Sequence, residues 1–390
     1  MKIDFLRKGA NTSMLSMLVL VVFIGMGERI GERFLPLYLM SLGGGTLAIG
    51  LLNGMTNFLG AAYSLPGGYV SDRYGHKKAL SLFTLFSLLG YLLVVIIPHW
   101  WAVLLGAVFF IAWTAISLPA IMSLIADKMS KQRQTLGISI HSLVRRVPMA
   151  IGPLVGGTLL TMLGVIAGIR VAFILAFVLG VFALWFVQRY MPQSEPKIKV
   201  MVSPKLYFKN LKESLSQLLV SDILIRFCEQ IPYAFVVIWC VQIKGISTVE
   251  FGVLTAIEMI TAMLIYLPVA YFADKGTKKP FVLITFVFFT CFPLLLLFAK
   301  TFWMMVPVFI VRGFKEFGEP SRKALIMHLA PEAEKAGTFG AYYLVRDMIV
   351  TIAAVGGAWI WSVSPSLNLI TATLFGLLGT LYFAWKGKDA

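Results

Sequence analysis

The sequence is short of charge. Only 13% of its 390 residues are Asp, Glu, Lys or Arg, and 59% are hydrophobic. A soluble protein carries about a quarter charged residues. So few charges cannot clothe the two or three soluble domains that the length alone suggests. Acidic residues are the scarcer sign, 18 against 34 basic, which leaves a formal net charge of +16. That surplus raises nucleic acid as a partner. No basic cluster on a soluble face accompanies it, so nucleic acid is excluded. Cysteine is limited to Cys228, Cys240 and Cys291, all in apolar segments and without metal-type or disulfide spacing. They read as buried free thiols. The four histidines, His76, His99, His141 and His328, are too scattered for a metal site. No His-Glu-x-x-His, Gly-x-Ser-x-Gly, Walker or paired-histidine sequence is present, so no enzyme, metal or cofactor is expected.

What the chain has instead is long apolar runs, such as Met14–Met26 and Phe281–Ala299. A run near 20 residues spans a bilayer core of about 30 Å. The basic start (Lys2, Arg7, Lys8) is followed by an apolar stretch too long for a cleaved signal, so it is read as the first transmembrane helix. Hydropathy places twelve spans at about 13–40, 46–70, 79–97, 101–126, 136–163, 169–190, 219–243, 249–272, 280–299, 302–329, 337–362 and 366–385. They are numbered 1 to 12 below. The longest polar stretch separates six from six, which predicts an N-terminal half at 1–190, a linker at 191–218 and a C-terminal half at 219–390. Lysine and arginine in short loops set orientation. Loops on the N-terminal side hold 21 of them, and the opposite side holds Arg170, Lys244 and Lys300. Both termini and the linker are therefore expected to face the cytoplasm, in a plasma (inner) membrane.

The two halves repeat each other. Leu143-Val144-Arg145-Arg146 recurs as Leu344-Val345-Arg346-Asp347, Pro119 as Pro320, Arg29-x-x-Glu32 as Arg226-x-x-Glu229, and Asp72 as Asp274. Four matches in order, at nearly constant offset, argue for duplication. Two six-helix repeats are a transporter arrangement, with the site near midplane.

The loop after span 2 reads Gly68-x-x-x-Asp72-Arg73-x-Gly75-x-Lys77-Lys78. It resembles the signature loop of the major facilitator superfamily. A degenerate copy runs from Ala270 through Asp274 to Lys279, one residue shorter. The resemblance implies an all-α membrane protein of twelve transmembrane helices in two pseudo-symmetric halves. It also implies a cavity lined by spans 1, 4, 7 and 10, and a gating latch at Gly68, Asp72, Arg73, Gly75, Lys77, Lys78 and Asp274 that favours the outward-open state. Span 5 carries Gly152-Pro153-Leu154-Val155-Gly156-Gly157, which resembles the core of a motif of facilitator-type antiporters. Small residues also let helices approach closely, and that alone would explain the glycines. The arginine that drug antiporters often carry in span 4 is missing from Ala107–Ala120, which weakens a drug pump.

Ten bases lie inside spans: Arg29, Arg33, Arg145, Arg146, Arg226, Arg312, Lys315, Arg322, Lys323 and Arg346. Seven acids accompany them: Glu28, Glu32, Glu229, Glu258, Glu316, Glu319 and Asp347. Facing lipid, each would cost roughly 2.5–3.5 kcal/mol on insertion scales, so they face protein or a water-filled cavity. Spans 1, 7 and 10 gather their charges on one side, and each carries a proline (Pro36, Pro232, Pro320). Local pairs are available: Arg29–Glu32 and Arg226–Glu229 at i,i+3, Arg312–Glu316 and Glu319–Lys323 at i,i+4. Cations still exceed anions by three, and arginine suits carboxylate or phosphate ligands. Arg29, Glu32, Arg145, Arg146, Arg226, Glu229, Arg312, Glu316, Glu319 and Arg346 are the substrate-binding candidates. Arg145, Arg146 and Arg346 stand out because their spans supply few acids. Glu258 has no base at i±3 or i±4. Desolvation penalises the charged form of such a carboxyl, which makes it the first choice for proton coupling, ahead of Asp347.

The expected protein is a monomeric secondary transporter in a lipid bilayer. It is expected to couple protons to a small anionic or zwitterionic organic solute by alternating access, with efflux by antiport favoured. The alternatives are a facilitative uniporter, a proton symporter importing a metabolite, and a drug efflux pump.

Overall fold

Runs of apolar residues longer than a helical turn, cut by short charged loops, fold here into helices throughout. The computed structural model describes residues 12–111, 113, 131–191, 215–273, 277–329 and 335–388, and among them there is no strand. Helices cover the expected spans to within a few residues at most ends: Gly45–Tyr74, His76–Ile96, Thr248–Ala273, Lys279–Phe298, Lys335–Val363 and Pro365–Lys386 stand for spans 2, 3, 8, 9, 11 and 12. Spans 5 and 6 run as Lys131–Tyr190, with Gly164 (φ 77°, ψ 169°) as the only break. That left-handed φ suits glycine, and one residue does the work of the five-residue loop expected there. Among the described residues, six helices are long and apolar enough to cross a membrane, or seven with the bent span 7. Within those residues, span 4 is limited to Trp100–Ile111, and spans 1 and 10 are interrupted.

Three spans break where a proline stands close by. Span 1 is Thr12–Glu32 followed by Leu35–Ser41, with Pro36 in the first turn of the second piece. Span 7 is Ser216–Tyr233, bent by 43° to Val236–Ile243 just after Pro232. Span 10 is Phe302–Phe314 and then Glu319–Leu329, with Pro320 opening the second piece. Proline is tolerated in a first turn and removes a ladder hydrogen bond elsewhere. Bends in transmembrane helices are re-satisfied by neighbouring groups. At the break in span 10 the Gly318 N–H donates to Thr285 Oγ1 of span 9 at 2.5 Å.

The chain forms two compact units. The first comprises Met1–Gly43 and Leu59–Val200, the second Gly44–Phe58 and Met201–Ala390. In the first, Leu20, Ile24, Phe83, Trp113 and Val187 share a core. Span 5 presses on span 1 through its glycines. A Cβ on Gly152 would stand 2.8 Å from the Arg29 carbonyl carbon, and one on Gly156 would collide with the Ile30 carbonyl oxygen. In the second unit, Leu218, Ile225, Phe286, Phe289, Leu325, Tyr342 and Phe383 form the core. The start of span 2 belongs to that unit: Asn53 Nδ2 donates to the Gln230 carbonyl at 3.1 Å, and Asn57 Nδ2 to Gln230 Oε1 at 3.2 Å.

Candidate functional site

In the first unit, Arg29 pairs with Glu32, as the i,i+3 spacing predicts. Glu28, Arg33, Arg145 and Arg146 are each engaged as well. Arg145 is exposed and Arg146 half-buried. The signature loop turns at Gly75, whose φ of 80° joins spans 2 and 3. Lys77 Nζ donates to the Gln188 carbonyl at 2.8 Å, tying the start of span 3 to the end of span 6. Arg73 is exposed beside the Tyr74 ring, and Lys78 is exposed. Gly68 and Asp72 lie in the last turns of the span 2 helix. The side chains of Asp72 and His141, and all of Asp274 and Pro119, lie outside the described residues.

The second unit gathers its charges into two linked clusters. In the first, Lys315 Nζ lies 3.1 Å from Glu229 Oε1 and 3.2 Å from Glu258 Oε1, and Arg312 Nε lies 3.3 Å from that same Glu258 oxygen. Three spans, 7, 8 and 10, thus meet in a quartet of two acids and two bases. Glu258 is fully buried and Arg312 is 4% exposed. The Arg312 guanidinium sits among three rings, with centroids at 4.6 Å (Phe292), 5.6 Å (Phe309) and 5.9 Å (Tyr233). Glycine makes the meeting of helices close enough: a Cβ on Gly313 would stand 2.7 Å from the Glu258 carbonyl oxygen.

In the second cluster, Asp222 of span 7 pairs with Arg322 of span 10, lies 3.3 Å from Arg346 Nη1 of span 11, and accepts from the Tyr342 hydroxyl at 3.1 Å. Arg322 also binds Glu319 at 2.5 Å, Lys323 lies 3.3 Å from Glu319, and Arg346 binds Asp347 at 2.7 Å. Arg226 links the clusters, 2.5 Å from Glu229 and 3.9 Å from Glu319. A cleft opens on the first cluster, lined by Cys228, Glu229, Phe288, Phe289, Phe292, Arg312 and Lys315.

The family model of the Major Facilitator Superfamily matches residues 17–238 and again 218–389. The chain belongs to this superfamily. Over 89% of its length it is 23% identical to an uncharacterized MFS-type transporter of Methanocaldococcus jannaschii, covering 88% of that relative. Its fold is that of a solved POT family transporter in complex with a thioalcohol-conjugated peptide (TM-score 0.82, 12% identity, 95% of each chain). It also resembles a human organic anion transporter (TM-score 0.66, 13% identity, 95% of this chain and 98% of that one). This facilitator is accordingly an all-α, twelve-helix, non-enzymatic membrane transporter.

The charges of this facilitator differ from the sequence expectation in four ways. Glu258 is isolated only along its own helix; Arg312 and Lys315 reach it from span 10. Arg346 is not short of acids, because Asp222 arrives from span 7. Asp222 stands outside the seven interior acids named from the sequence, yet it is fully buried. It raises the interior acids from seven to eight and lowers the excess of cations from three to two. That excess lies in the first unit, where Arg29, Arg33, Arg145 and Arg146 face Glu28 and Glu32. Within its spans the second unit is balanced, with six bases (Arg226, Arg312, Lys315, Arg322, Lys323, Arg346) and six acids (Asp222, Glu229, Glu258, Glu316, Glu319, Asp347). The expected Arg312–Glu316 pair assumes an unbroken helix. The helix stops at Phe314, and Arg312 turns to Glu258 instead. Asp222 and Tyr342 are site residues absent from the sequence candidates, although the spacing of span 7 does place Asp222 within a wedge of about 60° with Arg226 and Glu229 at 100° per residue.

Proposed function

We propose that this facilitator is a proton-coupled secondary transporter that moves a small anionic or zwitterionic organic solute by alternating access, outward by antiport. It would work as a monomer in a plasma (inner) membrane with both termini cytoplasmic. The observation that carries the proposal is the quartet of Glu229, Lys315, Glu258 and Arg312 beside the cleft. One carboxylate oxygen of Glu258 holds two cations, so a solute carboxylate that drew Arg312 or Lys315 away would leave Glu258 buried and undercompensated. A buried carboxylate in that position takes up a proton. Proton and solute would then be linked through competition for the same two bases. Among structures of similar fold, one POT family transporter holds a conjugated peptide and another is an organic anion transporter, which supports this chemistry. The Gly152–Gly157 motif supports the outward direction, although Gly152 and Gly156 also serve helix packing.

A facilitative uniporter is the second reading. It is favoured by the fact that Asp222, Glu229, Glu258, Glu319 and Asp347 each have a cationic partner, as purely structural charges would. Proteoliposomes under an imposed pH gradient separate the two. Uphill accumulation of an organic anion or zwitterion that collapses with the gradient is expected. Flux that only equilibrates the solute, whatever the gradient, overturns proton coupling.

A further inference from the structure

We infer that the paired ends of spans 3 and 6 hold one anionic phospholipid from the leaflet on the side of the signature loop. Lys78 and Arg189 bind its phosphate, and its acyl chains lie along the lipid-facing stripes of the two helices. The site lies within the first unit.

The two helices are tied together at both ends. At one end Lys77 Nζ donates to the Gln188 carbonyl at 2.8 Å, and Gln188 Nε2 donates to Ser81 Oγ at 2.7 Å. At the other end Arg170 Nε, from the start of span 6, donates to the Val95 carbonyl at the end of span 3, at 3.1 Å. Each helix keeps one apolar stripe open. On span 3, Leu82, Leu85 and Leu89 are exposed, at i+4, i+7 and i+11 from Lys78. On span 6, Trp185, Phe182 and Val178 are exposed, at i−4, i−7 and i−11 from Arg189. At 100° per residue each set, with its cation, stays within about 60°. Both cations are exposed. Lys78 follows Lys77 and Arg189 follows Gln188, so the two stand beside the bond that joins the helices, at the same end of the two stripes.

Charge selects the headgroup. Residues 70–82 and 182–194 hold four bases (Arg73, Lys77, Lys78, Arg189) and one acid (Asp72). No Asp or Glu occurs from 73 to 125 or from 127 to 194, so neither helix neutralises its own cations. Basic groups between transmembrane helices bind anionic headgroups, and each one near an anionic leaflet is worth about fivefold in affinity. A zwitterionic headgroup would bring a further cation to a place that is already positive. The opposite end of the pair lacks this excess, because its Arg170 is half-buried and committed to Val95. Aromatic rings mark the headgroup level. Trp185 and Tyr190 are both exposed, with ring centroids 6.2 Å apart, and the Arg189 guanidinium lies 5.7 Å from the Tyr190 ring. Tryptophan and tyrosine favour that depth of a bilayer.

The test titrates the purified full-length protein, in neutral detergent, with phosphatidylglycerol and phosphatidylcholine of identical acyl chains. Native mass spectrometry counts the bound lipid. One phosphatidylglycerol should bind at least tenfold more tightly than phosphatidylcholine. Lys78→Gln together with Arg189→Gln should bring the two lipids within threefold of each other. Lys244→Gln together with Lys300→Gln, at bases that the loop pattern puts on the opposite side, should keep at least a fivefold preference. A second measurement needs no charge variant. Phosphatidylglycerol brominated on its acyl chains should quench the Trp185 share of the fluorescence, read as the difference between the parent and Trp185→Phe, at a lower lipid fraction than brominated phosphatidylcholine does. Equal affinity for the two lipids, equal loss of preference in the two double variants, or equal quenching of Trp185 by both lipids overturns the site. Displacement of phosphatidylglycerol by millimolar inorganic phosphate makes a free anion the ligand and overturns the lipid as occupant.

Discussion

Replacing Asp222 by Asn should cost this facilitator a large part of its stability. Asp222 is fully buried and holds Arg322, Arg346 and the Tyr342 hydroxyl at once. Asparagine keeps the volume and can still accept from Tyr342, so the change isolates the charge. Removing one partner of a buried ion pair costs about 3–5 kcal/mol, because the other charge stays buried without compensation. Two features pull the value toward the lower end. Arg322 keeps Glu319, and Arg346 keeps Asp347. The expected loss is therefore about 3 kcal/mol, a substantial fraction of the 5–15 kcal/mol typical of native proteins. Denaturant titration in mixed micelles measures it. A second change supplies the control: Arg346→Gln on the Asp222→Asn background removes the stranded cation and should recover at least about 1 kcal/mol as a coupling term. An Asp222→Asn loss below about 0.5 kcal/mol, or strict additivity of the two changes, would refute the reasoning.

Three further outcomes follow from local geometry. Thr285→Val should destabilise by about 1–3 kcal/mol, the cost of orphaning the buried Gly318 N–H at the break in span 10; unfolding free energy checks it, and a neutral result contradicts the bonded break. Gly156→Val should abolish recovery of folded, monodisperse protein, because even a Cβ there meets the Ile30 carbonyl. Size-exclusion chromatography after mild solubilisation reads that, and normal recovery would sink the close approach of spans 1 and 5. Gly60→Ala, where a Cβ meets nothing within 4 Å, should instead raise stability by roughly 0.5–1 kcal/mol, the helix preference of alanine over glycine.

Helix placement was legible because apolar runs end at charged loops, and a window average finds such edges well. The same averaging hid the breaks after Glu32, Tyr233 and Phe314. Their signal was Pro36, Pro232 and Pro320, each within a few residues of its break. Pairs within one helix were equally legible: Arg29–Glu32, Arg226–Glu229 and Glu319–Lys323 all form. Pairs between helices were not. Periodicity says which face a residue occupies and nothing about which helix stands opposite. Glu258 therefore read as alone, and Arg346 as uncompensated. The Lys315 bridge between spans 7 and 8 likewise had no trace in spacing, since its partners lie 86 residues away at Glu229 and 57 away at Glu258.

Glu258→Gln most directly tests the central claim, that the quartet couples protons to solute. Reconstituted parent protein, loaded with a pH-sensitive dye, should move protons when an organic anion or zwitterion is added across the membrane. In the variant, proton movement should vanish while solute counterflow persists, because the glutamine cannot exchange a proton but leaves the cleft in place. Proton movement of unchanged size in Glu258→Gln would contradict the account.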